Sequence, residues 1–241
     1  MALFDLPYGL LSWLDEAAAR LLSPLMRIVC WALITALLAM EIYRRSSPQH
    51  RLSRLKQEFR DTERNLNNYA GSLTEAWPLL GRLLGLSLQR IWLVVPATLL
   101  TGIPVLILLL WLSTTYGYRF PEPRESISVT VSNPGYQGRW EPQDSRRPGR
   151  ALVTDGAGKV VLEFTPTAAV PVISKWRPWN LLLGNPAGYL PARAPIEAIQ
   201  LSLPRQELIA AGPPWIRGWE FSFFGLLLLF GLLLKVVRGI E

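Results

Sequence analysis

Cysteine and histidine are nearly absent: the chain of 241 residues holds one of each, Cys30 and His50. A single cysteine excludes an internal disulfide framework and any cysteine-built zinc site. A single histidine excludes histidine clusters and argues against a hydrolytic triad. No phosphate-binding loop is present either, because GAGKV lacks the spacing and the Ser/Thr after Lys that such a loop requires. The adjacent carboxylates Asp15 and Glu16 do not converge on one point, and Arg146-Arg147 sits in a Pro/Gly loop as a solvated pair. No enzymatic activity, cofactor or metal is therefore expected. Charge is also scarce, at 18% of residues, where globular proteins carry about a quarter. What replaces it is apolar: half of the residues are hydrophobic, ten are Trp, and the mean hydropathy is +0.22.

Three stretches are long and apolar enough to cross a bilayer, whose ~30 Å core needs about 20 helical residues. Residues 91–116, IWLVVPATLLTGIPVLILLLWLSTTY, contain no charge and place Trp92 and Trp111 near the two ends, as an aromatic belt does. Residues 219–237, WEFSFFGLLLLFGLLLKVV, have Trp219 as an anchor and Lys235 as a residue able to snorkel. Residues 21–43, LLSPLMRIVCWALITALLAMEIY, have a charge-free middle between Arg27 and Glu41, and Cys30 reads there as a small apolar residue.

Orientation follows from basic residues in short loops. Residues 44–90 carry nine Lys/Arg against four acids, whereas Arg20 and Arg27 are outnumbered by Asp5, Asp15 and Glu16 before the first span. The reading is an outside N-terminus, a cytoplasmic segment 44–90, an external segment 117–218 and an inward tail, 238–241. The twelve Lys/Arg of the external segment do not oppose this, because long domains translocate largely regardless of charge. The net charge of +7 then reflects topology, and no specific nucleic-acid partner is implied.

The opening residues 1–20 lack the basic start of a signal peptide and read as a retained segment. Leu10, Leu14, Ala17 and Leu21 recur at helical spacing, interrupted by Asp15, Glu16 and Arg20. That pattern suits an interfacial amphipathic helix or, equally, a helix packed under the external domain. In the cytoplasmic segment, Ser47 and Pro48 read as helix-start residues. Leu52, Leu55, Phe59, Thr62, Leu66 and Tyr69 then alternate steps of three and four, a heptad seam lined by charged residues. Gly71 is the expected stop. A Ser72–Glu75 capping box opens a second helix through Trp77, Leu80 and Leu84, so the segment forms a helical hairpin. The seam is a candidate protein contact, the alternative being a basic connector lying on anionic lipid.

After Phe120 the period changes. ESISVTVSN alternates as a strand does, and ALVTDGAGKVVLEF places Asp155-Gly156 between two β-rich runs as a hairpin signal. AVPVISKW and PIEAIQLSLP supply further strands, giving a small external β-rich domain of roughly four to six strands. Buried aromatic packing accounts for Trp176 and Trp179 at least as well as ligand binding does. The fold expected overall is an α-helical membrane protein with three transmembrane helices, a cytoplasmic hairpin and this domain.

Polar residues at membrane depth are candidate functional groups. Arg27 and Glu41 lie near opposite ends of the first span. The hydroxyls of Thr35, Thr98, Thr101 and Ser222 are expected to bond their own helix backbone. Pro96, Gly102 and Pro104 are expected to bend the second span and free carbonyls near positions 92 and 100, opening a shallow groove.

An outward amphipathic N-terminus, a span, the charged hairpin SPQHRLSRLKQEFRDTERN and the Pro-containing span WLVVPATLLTGIPVLILLLWL together resemble the YidC/Oxa-type insertase superfamily, above all its three-span members. The resemblance is one of architecture over residues 5–115. Thr35 and Ala36 stand where that superfamily's groove arginine is expected, and the β-rich insert between the second and third spans departs from it. The resemblance implies a non-enzymatic protein of a bacterial-type inner membrane that assists insertion or assembly of other membrane proteins. Its partners would be the bilayer, a client helix received in the groove, and a client or ribosome at the hairpin. The competing expectation is an accessory or scaffold subunit of an envelope complex that binds its partner through the β domain.

Overall fold

The computed structural model describes residues 3–68, 71, 73–123, 125–143 and 148–238. Tyr69 of the expected seam, Ser72 of the expected capping box and the Arg146-Arg147 pair lie outside them. Among the described residues the helices are α1 (Tyr8–Ala19), α2 (Pro24–Ser46), α3 (Gln49–Asn67), α4 (Leu73–Tyr116), the one-turn α5 (Pro214–Arg217) and α6 (Trp219–Arg238). The strands are β1 (Ser128–Val131), β2 (Gln137–Glu141), β3 (Arg150–Thr154), β4 (Val160–Phe164), β5 (Val172–Ser174) and β6 (Ala198–Leu201). Three helical stretches, Pro24–Ser46, Ala76–Tyr116 and Trp219–Val237, are long and apolar enough to cross a membrane. The chain divides into two compact units: Met1–Ile28 with Ile107–Ser222, and Val29–Leu106 with Phe223–Glu241.

The first unit is built on a six-stranded antiparallel sheet in the order β4-β3-β2-β1-β6-β5. Val129, Trp140, Ala151, Val153, Ile173, Ile199 and Leu201 are buried in its core. The strand β2, QGRWE, has no counterpart among the expected strands because it buries a single apolar side chain, Trp140, and so shows no alternation. Gly138 is needed there: a Cβ would meet Val129 Cγ1 at 2.5 Å across the β1–β2 pair. The β3–β4 hairpin forms as expected, but Gly156 is not its special residue. The Asp155 carboxylate accepts from the Ala157 and Lys159 amides at 3.0 and 2.9 Å, and Gly158 takes the positive φ of 80°. The chain enters and leaves the sheet at adjacent points, since Tyr118 bridges Arg205 and the Gln206 amide donates to the Gly117 carbonyl at 3.1 Å. On the sheet surface Lys175 donates to Glu197 at 2.9 Å and holds that carboxyl below the usual carboxylate range.

In the second unit, α3 begins and ends on local chemistry. The Arg51 and Leu52 amides donate to the Pro48 carbonyl, while the Ser47 hydroxyl is buried without a partner among the described residues and does not cap. The helix stops at Asn67, before the expected Gly71, and the Asn68 amide closes the last turn on Arg64. Asn competes for backbone hydrogen bonds more readily than a helix tolerates. The seam is buried as the spacing requires: Leu52 and Leu55 are 5% and 9% exposed, Thr62 is buried, and Phe59 and Leu66 are half-buried.

The largest difference from expectation is α4. Instead of a hairpin arm followed by a separate span, residues 73–116 form one helix of 44 residues that continues through Pro78, Pro96 and Pro104. No Pro or turn cluster lies between Pro78 and Pro96, and the apolar run LGLSLQRIWLVV carries the helix on although Gly85, Ser87, Ile91, Trp92, Val94 and Val95 are weaker helix formers. The inward stripe of its first part is Ala76 and Leu86, both buried, with Leu79 and Leu83 half-buried between them, again at steps of three and four. The expected stripe of Trp77, Leu80 and Leu84 faces outward at 69%, 39% and 63% exposure. Leucine occupies both faces, so apolar spacing alone could not choose between them.

Candidate functional site

Two constellations stand out, one in each unit. In the first, α1 is polar on its inner side and apolar on its outer side. Tyr8, Ser12 and Asp15, at i, i+4 and i+7, point inward. The Trp111 Nε1–H donates to Ser12 Oγ at 2.9 Å, the Thr114 hydroxyl donates to the Tyr8 hydroxyl at 3.4 Å, and Asp15 is 4% exposed. Asp15 accepts the Tyr116 hydroxyl at 2.6 Å through one oxygen and the Arg27 guanidinium through the other. Arg27 also lies over the Tyr116 ring, 5.4 Å from its centroid. A buried carboxylate is tolerated only with such pairing, so this cluster locks α1, the first turn of α2 and the last turn of α4 together. Meanwhile Leu10, Trp13 and Leu14 are exposed.

The α2 end of this cluster is set by a start signal. Ser23 precedes Pro24 at the first helical position, and its carbonyl accepts the Arg27 amide at 3.1 Å. The helix thus begins at Pro24, after the expected Leu21, and brings Arg27 into reach of Asp15.

In the second unit, α2, α4 and α6 enclose a groove of about 480 Å³. Small side chains make the room: Ala36 and Ala39 on α2, Gly102 on α4 and Gly231 on α6. Thr98 and Thr101 add hydroxyls, and Tyr43 and Lys235 add a phenol and an ammonium group. Both threonine hydroxyls donate to their own helix, to Val94 at 3.1 Å and Ala97 at 2.8 Å. Their oxygens keep lone pairs that can accept. The surface is therefore mostly apolar with a few polar points.

The expected groove residues separate. Thr98 and Thr101 line the groove, whereas Pro96 and Pro104 are positions of α4 outside its lining. Thr35 is buried and bonds the Trp31 carbonyl at 2.6 Å. Glu41 pairs with Arg44 and Arg45 at 2.9 Å each. Arg27 belongs to the Asp15 cluster. Ser222 is buried, and its hydroxyl has no partner among the described residues, against the expected bond to its own helix. Sequence reasoning missed Asp15 and Tyr116 as a pair; the signal was the polar spacing of Tyr8, Ser12 and Asp15 on one face of a helix whose only other polar side chain is Glu16. Trp176 and Trp179 are not core aromatics: they are 52% and 54% exposed. Among the described residues, no group of three His, Cys, Asp or Glu could hold a metal ion. Comparison with family models, curated proteins and solved structures finds no match to the chain.

Proposed function

We propose that this chain is a three-span protein of a bacterial-type inner membrane that assists insertion or assembly of other membrane proteins without catalysing a reaction. The observation that carries the reading is the groove of about 480 Å³ walled by Ala36, Ala39, Gly102 and Gly231, with Thr98 and Thr101 as polar points. Such a surface shelters the apolar face of a client helix and tolerates a polar side chain on it. Around it, Leu99, Ile103 and Leu106 on α4 and Leu228, Leu232 and Leu233 on α6 are exposed, a surface that suits lipid and not water. The nine-to-four basic excess of residues 44–90 supports an orientation with α3 inside the cell and the N-terminus and the β-sheet outside. The groove then occupies the inner halves of α2 and α6, and the charged outer face of α3 is free to meet a client or ribosome. The resemblance to the YidC/Oxa-type superfamily points the same way.

Photocrosslinking tests this. A photoreactive residue at Thr101 in native membranes should capture many different short membrane proteins during synthesis. Capture of one defined protein alone would sink the insertion reading. It would favour the scaffold alternative, for which the specific observation is the open sheet edge at β4, where Val160 is 49% exposed.

A further inference from the structure

The segment after β5 turns Asn180 inward and its large apolar groups outward. Asn180 is 5% exposed; its Oδ1 accepts the Arg177 amide at 2.8 Å and its Nδ2 donates to the Leu183 carbonyl at 3.1 Å. The Asn180 amide donates to the Arg177 carbonyl, and the Leu182 and Leu183 amides donate to that of Trp179. Outside this bonded frame, Trp176, Trp179, Leu181 and Leu182 are 52%, 54%, 62% and 52% exposed. Four large apolar side chains within seven residues form a patch that a water-facing loop does not keep without a use. The Arg177, Asn180, Leu182 and Leu183 amides are bonded within the loop, which lowers the cost of bringing it into an apolar medium.

Its position says which medium. Leu183, Gly184 and Pro186 line a small cavity with Ile107, Leu110, Trp111 and Thr114, in the last turns of α4. The loop therefore stands level with the apolar end of that helix. Tyr8 and Leu11 of α1 line the same cavity, and α1 likewise turns Leu10 and Trp13 outward. We infer that the loop Trp176–Leu183 inserts into the outer leaflet beside α4, with Leu181 and Leu182 among the acyl chains and the two Trp rings at the headgroup boundary. Arg177, whose guanidinium lies 3.9 Å from Glu197 while its side chain is 56% exposed, meets lipid phosphate there. The occupant is lipid because the loop shares its cavity with Ile107 and Leu110 at the apolar end of α4 and with α1, whose Leu10 and Trp13 are likewise exposed. The sheet is thereby held down on the bilayer at a second point. This inference rests on the three-span reading.

The test uses the full chain with Cys30→Ser, carrying one nitroxide at Leu181→Cys, in nanodiscs of phosphatidylcholine and phosphatidylglycerol. Leu99→Cys on α4 reports whether the helix spans, and Glu163→Cys on β4 reports an aqueous site. Power saturation should show the Leu181 label accessible to oxygen and protected from a nickel chelate, as at Leu99, with Glu163 the reverse. A Leu181 label open to nickel while Leu99 is lipid-exposed would overturn the loop insertion and leave the spans standing. A Leu181 label shielded from both reagents would mean cover by protein and would also overturn it. An aqueous Leu99 label would remove the three-span reading, and this inference with it.

Discussion

The Tyr116 hydroxyl donates to the Asp15 carboxylate at 2.6 Å, joining residues 101 positions apart. Because Arg27 occupies the other carboxylate oxygen, one buried acid organises three helix ends at once. The arrangement explains how an N-terminal helix with an apolar outer face stays docked: its polar stripe has partners on the inside, and little remains for water.

Removing one partner of this cluster should cost more than removing both. Asp15→Leu leaves Arg27, its side chain only 14% exposed, without its carboxylate, a loss of about 3–5 kcal/mol. The pair Asp15→Leu with Arg27→Leu should recover most of that. Reversible unfolding in mixed micelles measures both. Equal losses for the single and the double variant would mean that the ion pair is not the organising contact.

The seam of α3 should behave as core. Leu55, 9% exposed, is covered by the chain itself, so Leu55→Ala should destabilise the second unit by about 2–5 kcal/mol. Trp77, 69% exposed, should tolerate Ala within about 0.5 kcal/mol. Protease sensitivity within residues 49–67 reads the difference. The opposite ranking would show that a partner, and not this chain, covers the seam.

Topology follows from charge. Reporter fusions should place residue 60 inside and the β3–β4 turn at Gly156 outside. A reporter at residue 60 found outside would sink the orientation, and with it the assignment of α3 to clients or ribosomes.

The sheet should be removable at a defined boundary. Tyr118 and Arg205 already bridge, so residues 121–203 can be replaced by a linker of about six Gly/Ser residues without opening that junction. Under the insertion reading, partial activity survives, because the groove lies in α2, α4 and α6. Under the scaffold reading, complementation fails completely although a blot shows normal protein in the membrane.

Residue composition and period alone determined the presence of three long apolar helices, the heptad seam on α3 and five of the six strands, because each rests on local hydrophobic spacing. Spacing could not decide among equal choices. Leucine on both faces of α4 left the buried face open, and the lack of Pro or a turn cluster between Pro78 and Pro96 hid the union of two expected elements in one helix. A strand with a single buried residue, Trp140, showed no alternation to find. The tertiary structure alone assigned Arg27 to Asp15 and away from the groove, since that depends on where α1 returns against Tyr116. It also turned Trp176 and Trp179 outward, because the aromatic content of a Pro/Gly-rich loop does not say which side of the loop its hydrogen bonds will close.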